Sequence, residues 1–147
     1  MQTSDVALIQ QSFMKVMPMK MHLAQRFYEK LFETCPGVRS LFPAEMTGQG
    51  EKLMLTLATL IRGLTTPEKV IPLAEDLARR HRSYGTEAAH YAVVGETLIE
   101  TLREALGDEF TPEVEAAWCR IYETLSQVMI AAAEAAQPAV PRARGAA

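Results

Sequence analysis

The sequence predicts an all-α protein, and three observations carry that reading. Apolar residues recur at three- and four-residue steps along most of the chain. Helix-start and helix-stop residues fall between these periodic stretches. No segment alternates apolar and polar residues as a half-buried strand would.

The elements follow in order. A first amphipathic helix, from about Ser4 to Val16, carries Val6, Ile9, Phe13 and Val16 on one face. A second, from about Met19 to Thr34, aligns Ala24, Phe27, Tyr28, Leu31 and Phe32. Pro36 and Gly37 then break the chain, and a short turn over Val38 to Phe42 leads to Pro43 and a glycine-containing loop. A nearly all-apolar helix is expected from about Gln49 to Arg62 with Gly63 as its stop, and its lack of a polar face predicts burial on more than one side. Thr66-Pro67-Glu68 combines an N-cap hydroxyl, a proline at the first helical position and an early acid, and Thr111-Pro112-Glu113 repeats the pattern. Between them, Thr86 after Gly85 is expected to cap a further helix that Gly107 ends. The last helix, Pro112 to about Ala136, aligns Val114, Trp118, Ile121, Tyr122, Leu125, Val128 and Met129.

Composition bounds the function. The chain has 147 residues, 48% hydrophobic and 22% charged, enough to bury a core without disulfides or metal staples. Its 15 Lys and Arg against 18 Asp and Glu, with no basic cluster, argue against a nucleic-acid partner. The first twenty residues include Asp5 and three glutamines where a secretion signal needs a basic start and an apolar run, so a cytoplasmic protein is expected. The longest apolar region, Leu53 to Ile61, is interrupted by Thr56 and Thr59, so no membrane span is expected. Cys35 and Cys119 form no Cys-x-x-Cys pair and read as reduced thiols. The expected organisation is one domain over residues 1–136 and a disordered tail over 137–147, where prolines and small residues dominate. A domain of that size leaves no room for a flavin or nicotinamide module.

Hydrolase and kinase chemistry are set aside, because neither Ser83 nor Ser126 belongs to a triad pattern and no glycine-rich phosphate loop occurs. The informative residues are polar ones on apolar helix faces. His81 follows Ala74, Leu77 and Ala78 on an inner face. It reads either as a core histidine bonded to a backbone carbonyl or as a metal ligand. A single histidine without companion ligands suits haem better than zinc, since a porphyrin brings four ligands of its own. Tyr28 reads as a core tyrosine or a hydrogen-bond donor, and Gln49, which leads Leu53 and Leu57 along one face, as a helix-start residue or an inward-pointing amide. Together, a phenol and an amide on apolar surfaces suit a small polarised oxygen ligand in a low-dielectric pocket. His22 and His90 read as surface or helix-end residues, and Tyr84, Tyr122 and Trp118 as packing residues.

The segments RFYEKLF with Tyr28, VRSLFP with Phe42, QGEKLMLTL with Gln49 and Leu53, LARRHRSYG with His81, AAHYAVVGETL with Tyr91 and AWCRIYETL with Trp118 resemble, in order and spacing, the bacterial single-domain globins and the globin domain of flavohaemoglobins. The resemblance runs to about Ala136. It implies a three-on-three helical globin fold around a pocket for haem b. His81 would be the iron ligand, Phe42 the aromatic packed on the porphyrin, Tyr28 and Gln49 the distal hydrogen-bonding pair, and Leu53 the apolar residue beside the ligand. Tyr91 would buttress the histidine. Arg79 and Arg80 read either as partners of the haem propionates or as a solvated flank. Helix geometry adds that the Leu77 carbonyl, one turn before His81, can accept the other ring proton.

Two departures qualify the likeness. The glutamate that would join Tyr91 at the histidine falls on Ala133, with Glu134 one residue later, and a one-residue shift turns a helical side chain by about 100°. Gly48 and Gly50 flank Gln49, so helix formation is expected to be weak there and Gln49 mobile, swinging in with ligand. The function implied is reversible dioxygen binding at a five-coordinate iron, with nitric oxide oxidised to nitrate if an external reductase supplies electrons. The alternatives are a non-catalytic oxygen carrier or store, and a haem-free globin-shaped sensory or interaction module.

Overall fold

The helical periodicity is realised as six α-helices in a computed structural model that describes residues 2–83 and 85–136. They are α1 (Thr3–Val16), α2 (Lys20–Thr34), α3 (Thr47–Gly63), α4 (Pro67–Ser83), α5 (Ala88–Leu106) and α6 (Pro112–Ala136). Short 3-10 segments cover Met17–Met19, Pro36–Leu41 and Gly107–Glu109, and no strand occurs among the described residues. The expected tail and the expected packing of Tyr84 lie outside the described residues.

Helix pairings resolve the chain into two layers of three. Helices α1, α3 and α4 form one layer and α2, α5 and α6 the other, with α4 and α1 packed across α6 and α3 across α2. Each helix turns its apolar stripe to the other layer, so Val6, Ile9, Phe13 and Val16 of α1 meet Trp118 and Ile121 of α6 in one core. Two long-range polar contacts fasten α1 to α6. Buried Trp118 donates its indole N–H to Ser12 Oγ at 2.9 Å, and Asp5, only 4% exposed, accepts two bonds from the Arg120 guanidinium at 2.8 and 2.9 Å.

Helix ends follow the sequence signals with one correction. Thr111 Oγ1 accepts the Val114 N–H at 3.2 Å, as an N-cap should, and Gly107 closes α5 with a positive φ of 56°. The cap of α5 is not Thr86, however. It is Glu87, whose side chain accepts the N–H of His90 while His90 Nδ1 accepts the Glu87 N–H at 3.0 Å. A carboxylate and an imidazole can satisfy two orphan N–H groups reciprocally, whereas a hydroxyl one residue earlier serves one.

The expectation for α3 also needs correction. Only Gly50, Met54 and Ile61 of that helix are buried, and Leu55 is 69% exposed. An apolar circumference records composition, and burial depends on what the neighbouring helices cover. Nor do the glycines prevent a helix near Gln49, since α3 begins at Thr47. A Cβ on Gly50 would lie 3.3 Å from Ala24 Cβ, so this glycine lets α3 approach α2 closely.

Candidate functional site

Helix α4 carries His81 through the first link in the site. Val70, Ala74 and Ala78, all 0% exposed, anchor the inner face of α4, and His81 continues that face as a half-buried side chain. Its Nδ1 lies 2.8 Å from the Leu77 carbonyl oxygen. A carbonyl only accepts, so Nδ1 carries the proton and Nε2 carries the lone pair. Burial lowers the pKa of the ring, the Leu77 carbonyl pulls the other way, and the Arg80 charge adds to the lowering. The imidazole is therefore neutral at neutral pH, the form in which it binds metals.

Helices α2 and α3 carry the second link. Gln49 Nε2 donates to the Tyr28 hydroxyl at 3.2 Å. Tyr28 accepts that bond and so keeps its own O–H for another acceptor. Burial raises its pKa, with the Gln49 bond acting in the opposite sense, and the phenol stays protonated at neutral pH. Its ring is clamped by Phe27 at 5.0 Å, Phe32 at 5.8 Å and Phe42 at 5.4 Å between centroids. Phe42 ends the Pro36–Leu41 segment half-buried, and Leu53, one turn beyond Gln49, is half-buried against the same core. The structure thus brings Tyr28, Gln49 and Phe42 together. It adds Phe32, whose signal in the sequence is its place four residues after Tyr28 on the same apolar stripe.

The other residues take different places. Arg79 and Arg80 are exposed, and both pair with Asp76, at 3.8 and 3.3 Å. Tyr91 is buried, and its carbonyl accepts the Tyr122 hydroxyl. Tyr91 also borders a cavity of about 240 Å³ with Arg82, Thr86, Glu87 and the exposed Glu134. Cys35 and Cys119 are unbridged.

The apolar interior is divided in a way that bears on a cofactor. One cluster holds Tyr28 with Phe42 and Leu53 at its margin, and a second, smaller cluster holds Ala74, Ala78, Tyr91 and Met129 with Leu77 at its margin. A domain of this size ordinarily builds one contiguous core. Here Tyr28 belongs to one cluster, and α4 bridges the two, with Val70 in the first and Ala74 and Ala78, nearer His81, in the second.

Comparison with known proteins identifies the family and the fold. The family model for globins matches residues 25–129. The chain belongs to the globin family. It is 34% identical over 111 residues to a flavohemoprotein of Vibrio cholerae and 32% identical over 111 residues to one of Bordetella parapertussis, in each case over 74% of this chain and 28% of the relative. This globin therefore spans less than a third of the length of those curated relatives. A solved bacterial globin from Campylobacter jejuni superposes with a TM-score of 0.82 at 18% identity, covering 93% of this chain and 99% of the other. Globins hold haem and bind small diatomic ligands including dioxygen, and the two-layer helical fold seen here is theirs. No described helix of this globin is long and apolar enough to cross a membrane.

Proposed function

We propose that residues 1–136 form a globin unit in which His81 Nε2 ligates the iron of haem b. The observation that carries the reading is the half-buried His81 imidazole whose Nδ1 is held by the Leu77 carbonyl, supported by the Tyr28–Gln49 hydrogen bond between α2 and α3. The donor set fits the group, because a single neutral imidazole with a fixed tautomer is the one protein ligand that a porphyrin iron requires. When bound, haem would supply reversible binding of dioxygen and related diatomics.

The chain's own residues then have distinct tasks. Leu77 holds the His81 proton at Nδ1 and keeps the ring from turning. Tyr28 donates its hydroxyl proton toward a polarised oxygen ligand, and Gln49 fixes that hydroxyl by donating to it. Phe42 and Leu53 exclude water from the same region, which strengthens each hydrogen bond within it. Arg80, on the exposed flank of α4, is assigned to a haem carboxylate, and Tyr91 to the support of the His81 side.

The proposal extends to oxidation of nitric oxide to nitrate, with electrons from an external reductase, in the cytoplasm. The flavohemoprotein relatives support that extension through their globin portion alone. An oxygen carrier or store would use the same residues without producing nitrate. Visible spectra of ferric, ferrous and dioxygen-exposed protein test the core of the reading. A Soret band is expected after incubation with haemin, weakened in His81→Gly and recovered with added imidazole. A wild-type protein with no Soret band, or a variant retaining haem fully without imidazole, refutes it. Nitric oxide consumption with stoichiometric nitrate, sustained only when reductase is added, tests the extension.

A further inference from the structure

The segment MKVMPMKMH places four methionines and a histidine within nine residues, Met14 to His22, at the junction of α1 and α2. Two of these side chains converge on one place. Met19, the last residue of the 3-10 segment before α2, and His22, in the first turn of α2, both line a cleft of about 180 Å³ between α2 and α5, together with Arg26, Thr101 and Glu104. Both are exposed, Met19 by 39%, so an ion can reach them from solvent.

The chemistry of the cleft selects among ions. Its carboxylate is committed, because Glu104 accepts from Arg26 at 2.7 and 3.0 Å and from Lys30 at 3.0 Å, and these contacts lower its pKa to about 2. A hard divalent cation would have to compete with two resident cations for that carboxylate. Among the described residues, no three His, Cys, Asp or Glu side chains cluster as a zinc-type site would demand. What the cleft offers without disturbing the ion pairs is one thioether sulfur and one imidazole nitrogen. That is a soft, two-ligand set suited to a monovalent d10 ion, and the single charge keeps repulsion from Arg26 and Lys30 low.

We propose that Met19 and His22 form a binding site for a soft monovalent metal ion, copper(I) being the biological case, separate from the residues assigned to haem. The test is calorimetric titration of the haem-loaded protein with silver nitrate in chloride-free buffer, silver(I) serving as a redox-inert probe. Cys35 and Cys119 are first replaced by serine, because thiolates would take the ion in preference. One equivalent is expected to bind. His22→Ala and Met19→Leu should each weaken binding by about tenfold or more, since loss of a ligand costs at least what loss of a ligand's supporting contact does. Met14→Leu, whose parent side chain is 71% exposed and does not border the cleft, should leave it unchanged. Far-UV circular dichroism and the Soret band check that the surface variants remain folded, and a shift of the His22 ring resonances on silver addition reports the same site without substitution. Absence of saturable binding, affinity unchanged in both variants, or zinc(II) bound as tightly through the same pair overturns the proposal.

Discussion

Replacing Gly95 by alanine sets helix propensity against packing, and the structure decides the sign. Gly95 lies in the interior of α5, where alanine is favoured by about 1 kcal/mol through the lost freedom of the unfolded chain. A Cβ there would fall 2.9 Å from Cδ2 and 3.0 Å from Cζ of Tyr122, and closer still to Cε2. The ring has little freedom to withdraw, because its hydroxyl is bonded to the Tyr91 carbonyl. Overpacking of a filled interior costs about 1–3 kcal/mol, and contacts this short belong near the upper end. The net expectation is a loss of about 1–2 kcal/mol. With an unfolding entropy of about 2.1 cal/mol/K per residue, that corresponds to a fall in Tm of roughly 3–7 °C. The assay is urea unfolding of haem-free protein, read as a change in midpoint at constant slope. Gly48→Ala is the control: it lies in the first turn of α3 with no atom within 4 Å of the added methyl, and should gain a few tenths to about 1 kcal/mol. In a Tyr122→Leu background the cost of Gly95→Ala should vanish or reverse. A Gly95→Ala protein at or above wild-type stability, with Tyr122 in place, would refute the reasoning.

Other outcomes follow from the same contacts. Tyr28→Phe removes the acceptor of Gln49 and the phenolic donor, and at about 1–1.5 kcal/mol per hydrogen bond dioxygen should leave roughly five- to tenfold faster in stopped-flow measurements; an unchanged rate removes Tyr28 from the role proposed for it. Trp118→Phe deletes the bond to Ser12 Oγ inside the α1–α6 contact and should cost about 1–2 kcal/mol in the same urea assay. For pH, Asp5 is held below the usual carboxylate range chiefly by its hydrogen bonds to Arg120, and Glu104 at about 2 by Arg26 and then Lys30. The unfolded chain takes up protons at these groups near pH 4, before the folded chain does, so their stabilisation is complete above that pH and is lost as pH falls toward the folded values. Asp5→Asn should flatten the decline in stability between about pH 5 and about pH 3; an equally steep decline in the variant excludes the pair as its source.

Most of the helical scaffold was legible because its signals are local. The apolar stripe of α1, the Thr-Pro-Glu start of α6 and the Gly107 stop each act within a turn or two of chain, where side-chain spacing and orphan N–H groups set the outcome. The Leu77–His81 bond was legible for the same reason, since a carbonyl and a ring four residues later on a helix are neighbours by geometry. The cap at Glu87 was missed because an imidazole acting as acceptor is rarer in that place than a hydroxyl. Pro72 shows the reverse case. It removes a backbone donor inside α4, yet the helix runs on to Ser83, with Val70, Ala74 and Ala78 fully buried around it. Tertiary packing outweighs a local penalty there.

The sequence by itself determined that the chain is helical, where its helices lie, and which few polar residues stand on apolar faces. Only the tertiary structure decided that Tyr28, Gln49, Phe32 and Phe42 meet, that α3 leaves Leu55 in solvent, that Asp5 finds Arg120 across 115 positions, and that Met19 and His22 share a cleft with α5. The division has a physical cause. Backbone periodicity and capping are satisfied within a few residues, whereas burial and polar pairing depend on which surfaces the folded layers bring together.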